Sequence, residues 1–114
     1  MEVPEPIRDE VEDKGGLEGI GSRMPSDSEI EELSKAYKAL SDPSRTRILY
    51  LIKVQSLCVC CIKELVQMSD SKLSYHLSQL RDADMIKGEQ VKNWIIYSIT
   101  EKGRRFTFDM GEGQ

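Results

Sequence analysis

Apolar residues recur every three or four positions from Ile30 to Leu80, then every second position from Ile95 to Ile99. A period near 3.6 that gives way to a period of 2 predicts a helical body followed by a short β element. Ile30, Leu33, Tyr37 and Leu40 share one face of a first helix, capped by Asp27 or Ser28, with glutamates in its first turn. "SDPSR" closes that helix and opens the next, with Asp42 as cap and Pro43 in the first helical position. Ile48, Leu49, Leu51 and Ile52 make this second helix, which runs to about Val54, the most apolar stretch of the chain. "LCVCCIKELVQMS" predicts a short third helix with Leu57, Cys61, Leu65 and Met68 along one side. Ser69 or Asp70 caps a fourth, whose stripe is Leu73, Leu77, Leu80 and Asp84, with the three leucines expected in the core.

"IKGEQVKNWIIYSIT" is rich in β-branched and aromatic residues and predicts a two-stranded hairpin turning at Lys92-Asn93. A last short helix is expected around Arg104 to Met110. The order of helix, helix, two helices joined by the short link "MSDS", hairpin and helix is that of a winged helix-turn-helix. The fold class is therefore mainly α with a small β-hairpin. Residues 1–25 hold Pro4, Pro6 and "GGLEGIG" with no apolar period, and predict a flexible acidic arm. The folded domain is placed at 26–110 and a tail at 111–114.

Composition narrows the function. At 114 residues, 39% hydrophobic and 32% charged, the chain has room for one domain at most. No apolar run approaches the roughly 18 residues that span a bilayer, so no membrane role is expected. The N-terminus lacks the basic start and apolar block of a secretory signal. The expected location is the cytoplasm, where thiols stay reduced. The net charge of −4 hides an asymmetry. Residues 1–34 carry 11 acidic and 3 basic side chains, net −8, and residues 35–114 carry 9 and 13, net +4. An acidic arm on a basic body points toward nucleic acid.

With its leucines turned inward, the fourth helix presents Ser71, Lys72, Ser74, Tyr75 and Gln79 on its outer and flanking faces. Hydroxyls, an amide and a lysine are side chains that reach base edges and phosphates in a major groove. The N-terminal half of such a helix does most of the reading. Lys87 and Lys92 on the hairpin, and Arg45 and Arg47 near the start of the second helix, are candidate phosphate contacts. His76, the one histidine, lies at the edge of the buried stripe, where a local hydrogen bond or a DNA contact outweighs metal ligation. Ile30, Leu33, Tyr37, Phe106, Phe108 and Met110 are candidates for a dimer surface and equally for intradomain core.

Cys58, Cys60 and Cys61 are all the cysteines of the chain. Three roles stand open for them: a metal or metalloid site, a redox switch and buried packing. Thiolates select soft ions. Three of them satisfy pyramidal As(III) or Sb(III), whereas tetrahedral zinc or cadmium asks for a fourth ligand. On a regular helix Cys58 and Cys61 share a face and Cys60 points elsewhere, so gathering all three is expected to unwind the first turn. A thiol enzyme is disfavoured, because there is no CxxC within a βαβ context and no base histidine beside the cysteines.

"KALSDPSRTRILYLI", "LCVC", "SDSKLSYHLSQLRDADMI" and "WIIYSIT" together resemble the ArsR/SmtB family of metal-sensing winged-helix repressors, over about Ser34 to Gly103. The resemblance implies a homodimeric repressor on inverted-repeat operator DNA, needing no cofactor to bind and released by an inducer. It implies As(III) or Sb(III), or Cd(II), Pb(II) or Zn(II), held by the cysteines of "LCVC", Cys58 and Cys60. A redox-responsive repressor using the same cysteines is the alternative. The chain departs from the family where Cys61 replaces a frequent aspartate and Lys63 stands in place of a third cysteine. It departs again in an arm without cysteine, a tail without histidine, and Asp84 in place of a frequent glycine, which is expected to affect local packing only.

Overall fold

The computed structural model describes residues 1–109, which divide into two compact units, one ending at Glu32 and the other beginning at Leu33. Met110 and residues 111–114, including the expected dimer contact at Met110 and the expected tail, lie outside the described residues.

In the first unit the expected arm carries two helices, α1 (Glu5–Asp13) and α2 (Gly16–Gly21). Pro4 and Pro6 do not oppose α1, because proline suits the first positions of a helix, where no N–H is needed. Gly15 and Gly16 make the turn between the helices at φ of 91° and 77°, a region closed to most side chains.

Helix α3 spans Asp27–Ala39. Its buried side chains are Ala36 and Ala39, while Ile30 and Tyr37 of the predicted stripe are exposed. Helix α4 (Pro43–Val54) starts as the sequence predicts: the Asp42 carboxylate accepts from the N–H of Ser44 at 2.7 Å and of Arg45 at 3.3 Å. Ile48, Leu49 and Ile52 of α4 are almost wholly buried and form the centre of the core.

Next comes a strand that the sequence pattern does not predict, β1 (Leu57–Cys58), followed by α5 (Val59–Val66) and α6 (Asp70–Asp82). Leu57 and Cys58 therefore precede the third helix rather than belong to it. The inner face of α5 is Val59, Ile62 and Val66, not the predicted Cys61 and Leu65, both of which are exposed. Leu73, Leu77 and Leu80 are buried as predicted, and Ser69 rather than Asp70 caps α6, its Oγ accepting from the N–H of Lys72 at 3.2 Å. Asp84 leaves the leucine stripe. It sits just past the helix end at φ 61°, the left-handed position that glycine occupies most easily.

The hairpin is β2 (Ile86–Val91) and β3 (Trp94–Ile99), with the turn at Lys92-Asn93 as predicted. The sheet is three-stranded and antiparallel in the order β1-β3-β2, with Leu57 opposite Tyr97 and Cys58 opposite Ile96. Ser56 and Ser98 hydroxyls meet at 2.6 Å beside this junction. Helix α7 (Glu101–Arg105) is shorter and earlier than expected, because Thr100 Oγ1 accepts from the N–H of Gly103 and fixes its start. Phe106 packs on the core and meets the Tyr37 ring edge-on at 5.4 Å, so this pair is an intradomain contact, while Phe108 is exposed. No helix of the described residues is long and apolar enough to cross a membrane.

Candidate functional site

The three sulfurs of Cys58, Cys60 and Cys61 lie within 4.8 Å of one another. Their helix is intact. Cys58 is the N-cap of α5 with extended backbone, φ −76° and ψ 160°, so its side chain is not bound to the helical spacing that separates positions 58 and 60. The expectation that the first turn must unwind to gather all three is corrected by this: one residue before the helix does the gathering. Ile62, fully buried, and the half-buried Val59 and Val66 hold the opposite face of α5 against the core, which turns Cys60 and Cys61 outward. Cys58 and Cys60 are paired as a disulfide, and Cys61 is a free thiol whose Sγ is 3.4 Å from Cys58 Sγ. With reduction, the trio offers three sulfur ligands within reach of one ion.

Two contacts connect the cluster to the rest of the site. Cys58 is in register with Ile96 of β3, so it belongs to the sheet that forms the wing. Lys63, one turn beyond Cys60, places Nζ 2.6 Å from Oδ1 of Asp70, the first residue of α6. Neither contact is marked in the sequence. Beside Cys58 and Cys60 opens a pocket of about 380 Å³, with Val59, Trp94 and Ile95 among its lining and Lys63, Asp70 and Asn93 at its polar side. Cys61 is not part of its lining.

On α6, Ser71, Lys72, Ser74 and Tyr75 are exposed and Gln79 is half-buried, one helical face as expected. Lys87 and Lys92 are exposed on the hairpin, where the Gln90 side-chain amide donates to the Lys92 carbonyl at 2.8 Å and pins the turn. Arg47 is exposed and lines a separate pocket with Leu40, Tyr50 and Phe106.

Arg45 and His76 are not presented to solvent, at 9% and 4% exposure. Arg45 Nε donates to the Ala39 carbonyl at 2.7 Å, and a terminal nitrogen donates to His76 Nδ1 at 3.2 Å. The expectation that Arg45 contacts phosphate is corrected to an internal role in this conformation, and His76 makes the local hydrogen bond that is one of its two expected roles: their polar groups are spent joining α3 and α4 to α6. An arginine can only donate, so Nδ1 must be the acceptor and the proton sits on Nε2. That atom is buried and has no partner among the described residues. Burial pushes the imidazole below its ordinary pKa, Arg45 and Lys72 add to this, and Asp42 opposes it. Desolvation opposes ionisation of Asp42, yet the N–H groups of Arg45 and Ser44 with the Arg45 guanidinium hold its carboxyl low. Above the pair, the Tyr75 ring lies 5.9 Å from the Arg45 guanidinium carbon.

Comparison with known proteins follows the same lines. The sequence profile described as "Bacterial regulatory protein, arsR family" matches residues 42–87, from the cap of α4 into β2. The chain is 35% identical over 74 residues to the arsenical resistance operon repressor of Bacillus subtilis, covering 64% of this chain and 70% of that protein. It is 30% identical over 73 residues to the transcriptional repressor SmtB homolog of Synechocystis, covering 64% of this chain and 55% of that one. In structure it is similar to a homodimeric winged helix-turn-helix DNA-binding domain from Mycobacterium bovis, with TM-score 0.64 at 22% identity over 72% of this chain and 80% of that chain.

Proposed function

Because the chain belongs to the arsR family of bacterial regulatory proteins, we propose that it is a dimeric, cytoplasmic repressor of transcription, and not an enzyme, that leaves its operator when a thiophilic ion binds Cys58, Cys60 and Cys61. The observation that carries this reading is the convergence of three sulfurs within 4.8 Å at the start of the helix that precedes α6. Three thiolates in a pyramid complete the coordination of As(III) or Sb(III), the inducers we favour. Cd(II), Pb(II) and Zn(II) are further thiophilic competitors, of which tetrahedral Cd(II) and Zn(II) ask for a fourth ligand.

In this reading α6 enters the major groove with Ser71, Lys72, Ser74, Tyr75 and Gln79 facing the bases and backbone, and Lys87 and Lys92 grip phosphate from the wing. Two such helices in a dimer read half-sites about one or more helical turns apart. Loading the cluster moves Cys58, and with it β3 and the wing, while Lys63 and Asp70 carry the change to the start of α6. Release requires that the ion bind the DNA-free state more tightly than the DNA-bound state. The test is an operator-release titration of the reduced protein with arsenite, antimonite, Cd(II), Zn(II) and peroxide. Arsenite releasing the operator from wild type, and not from Cys58→Ser, Cys60→Ser or Cys61→Ser, is expected. Unchanged release in all three variants would end the proposal.

The pairing of Cys58 with Cys60 favours a second reading, a thiol-based redox repressor using the same residues. Release by peroxide, reversed by a dithiol and not produced by arsenite, selects it.

A further inference from the structure

Arg45 brings a permanent charge into the interior, at 9% exposure. An apolar side chain of that length would join the same helices without the cost of burying a charge. What the guanidinium adds is direction. Its Nε donates to the Ala39 carbonyl at the end of α3, and a terminal nitrogen donates to Nδ1 of His76 on α6. The same planar group faces the Tyr75 ring at 5.9 Å from the centroid. Tyr75 and His76 are consecutive residues of α6 with ring centres 5.5 Å apart, so one cation bears on both. Tyr75 is 55% exposed, held by Arg45 from within and open to solvent without. It stands beside Ser74 in the half of α6 that faces the bases in the reading above.

We propose that Arg45 is a positioning residue for base reading: through the Tyr75 ring and the Nδ1 acceptor of His76 it fixes how α6 presents its reading face, and so sets sequence preference without touching DNA. This rests on the reading of α6 as the helix that enters the major groove. Arg45 cannot be replaced here by lysine, which lacks the planar fork that donates in two directions while stacking on a ring. Preference and bare affinity separate in this arrangement. Lys72, Lys87 and Lys92 supply the phosphate contacts, and none of them depends on where Arg45 points. The device also responds to protons. The ionisable groups around the imidazole are Asp42 and Arg45 at the start of α4 and Lys72 on α6, with the Tyr75 phenol beside it. A proton on Nδ1 sets donor against donor, breaks the Arg45 bond and places two cations together, with Asp42 alone to offset them. Sequence preference is then lost on acidification while phosphate binding remains.

The test uses the full reduced chain and two labelled duplexes: one that wild type selects from a random-sequence pool, and a scrambled duplex of the same composition. Anisotropy gives the ratio of the two affinities. Arg45→Met and Arg45→Lys are expected to lower that ratio about tenfold or more, with affinity for the scrambled duplex within about twofold of wild type and the salt slope unchanged. The cycle of Arg45→Met with Tyr75→Leu is expected to be non-additive, the double variant losing no more than either single one. The conservative His76→Asn supplies an amide oxygen in the place of Nδ1, and it keeps the fold testable where Arg45 variants do not fold. Protonation of His76, the one histidine, is followed by NMR while circular dichroism confirms the fold. Across that titration the wild-type ratio is expected to fall about fivefold or more, and the ratio of His76→Asn to stay level. If the Arg45 variants weaken both duplexes alike, if the cycle is additive, or if the wild-type ratio holds constant through the His76 titration, Arg45 has no positioning role. If wild type selects no sequence and binds no duplex in a salt-dependent way, the DNA-reading assignment of α6 falls first, and this inference with it.

Discussion

Lys63 and Asp70 meet at 2.6 Å, and through that ion pair the helix bearing Cys60 and Cys61 is tied to the first residue of α6. The backbone makes the same connection through Gln67, which ends α5 in the left-handed conformation at φ 51°. A change at the thiols thus has a charged route and a backbone route into α6.

The pair is exposed, with side chains at 47% and 83%, so its worth to stability is small, about 0–1 kcal/mol. Its worth to coupling is the point to measure. Lys63→Met and Asp70→Asn are expected to leave thermal stability within about 1 kcal/mol of wild type and to cut the arsenite-induced drop in operator affinity about twofold to fivefold. The charge-swapped Lys63→Asp/Asp70→Lys protein should regain the loss. Fluorescence anisotropy on labelled operator, with and without arsenite, reads this directly.

His76 gives the fold a pH dependence with a definite sign. Its folded pKa lies below the ordinary 6.5, so the unfolded chain takes up the proton first as pH falls. The neutral imidazole's contribution is fully present above that value and is lost as pH falls from 6.5 toward the lowered folded pKa. Protonation puts a second donor against the Arg45 guanidinium and breaks the bond at Nδ1. Urea unfolding between about pH 7.5 and 5.5 should show stability falling with pH, and the slope should flatten in His76→Gln.

Asp84 holds the left-handed position after α6 with a side chain that glycine would not need to accommodate. Asp84→Gly is expected to stabilise the fold by up to about 1 kcal/mol, seen as a rise in Tm, because the backbone penalty it relieves exceeds the unfolded-state entropy it adds. An unchanged or lower Tm would show that Asp tolerates this conformation at no cost.

Gly103 argues in the opposite direction. A Cβ there would overlap the Met85 carbonyl oxygen and approach Ile99 Cγ1 at 2.7 Å. Gly103→Ala is expected to destabilise by about 1–3 kcal/mol, measured by chemical denaturation, since the clash is with backbone at the junction of α7 and the sheet.

The proposed DNA binding should carry a salt signature. Lys72, Lys87 and Lys92 are exposed and free to meet phosphate. Replacing any one with Met should lower the slope of log K against log salt by about one and weaken binding to all sequences alike. Ser71→Ala and Ser74→Ala should instead alter the preference among operators while leaving the salt slope in place.

Periodicity marks α4, α6 and the hairpin because each buries one face, and a buried face leaves a regular trace in the chain, whereas the Ile30 and Tyr37 stripe marks α3 as a helix but not its buried side, which is Ala36 and Ala39. The caps of α4 and α6 are equally local: Asp42 and Ser69 need only their own next turn. Strand β1 left no such trace, since two residues have no period and Leu57 and Cys58 become a strand only when β3 is there to pair with. That single unmarked element changes the site, because it frees Cys58 from the helix and lets the three sulfurs meet.

The sequence by itself determined the fold class, the leucine stripe of α6, the turn of the wing and the concentration of every thiol in four positions, since these depend on spacing along one chain. The tertiary structure alone decided that Arg45 and His76 face each other inside, that Lys63 reaches Asp70, and that Trp94 and Ile95 stand beside Cys58 and Cys60. Each of these joins residues from separate elements, and only packing fixes which faces of two elements meet.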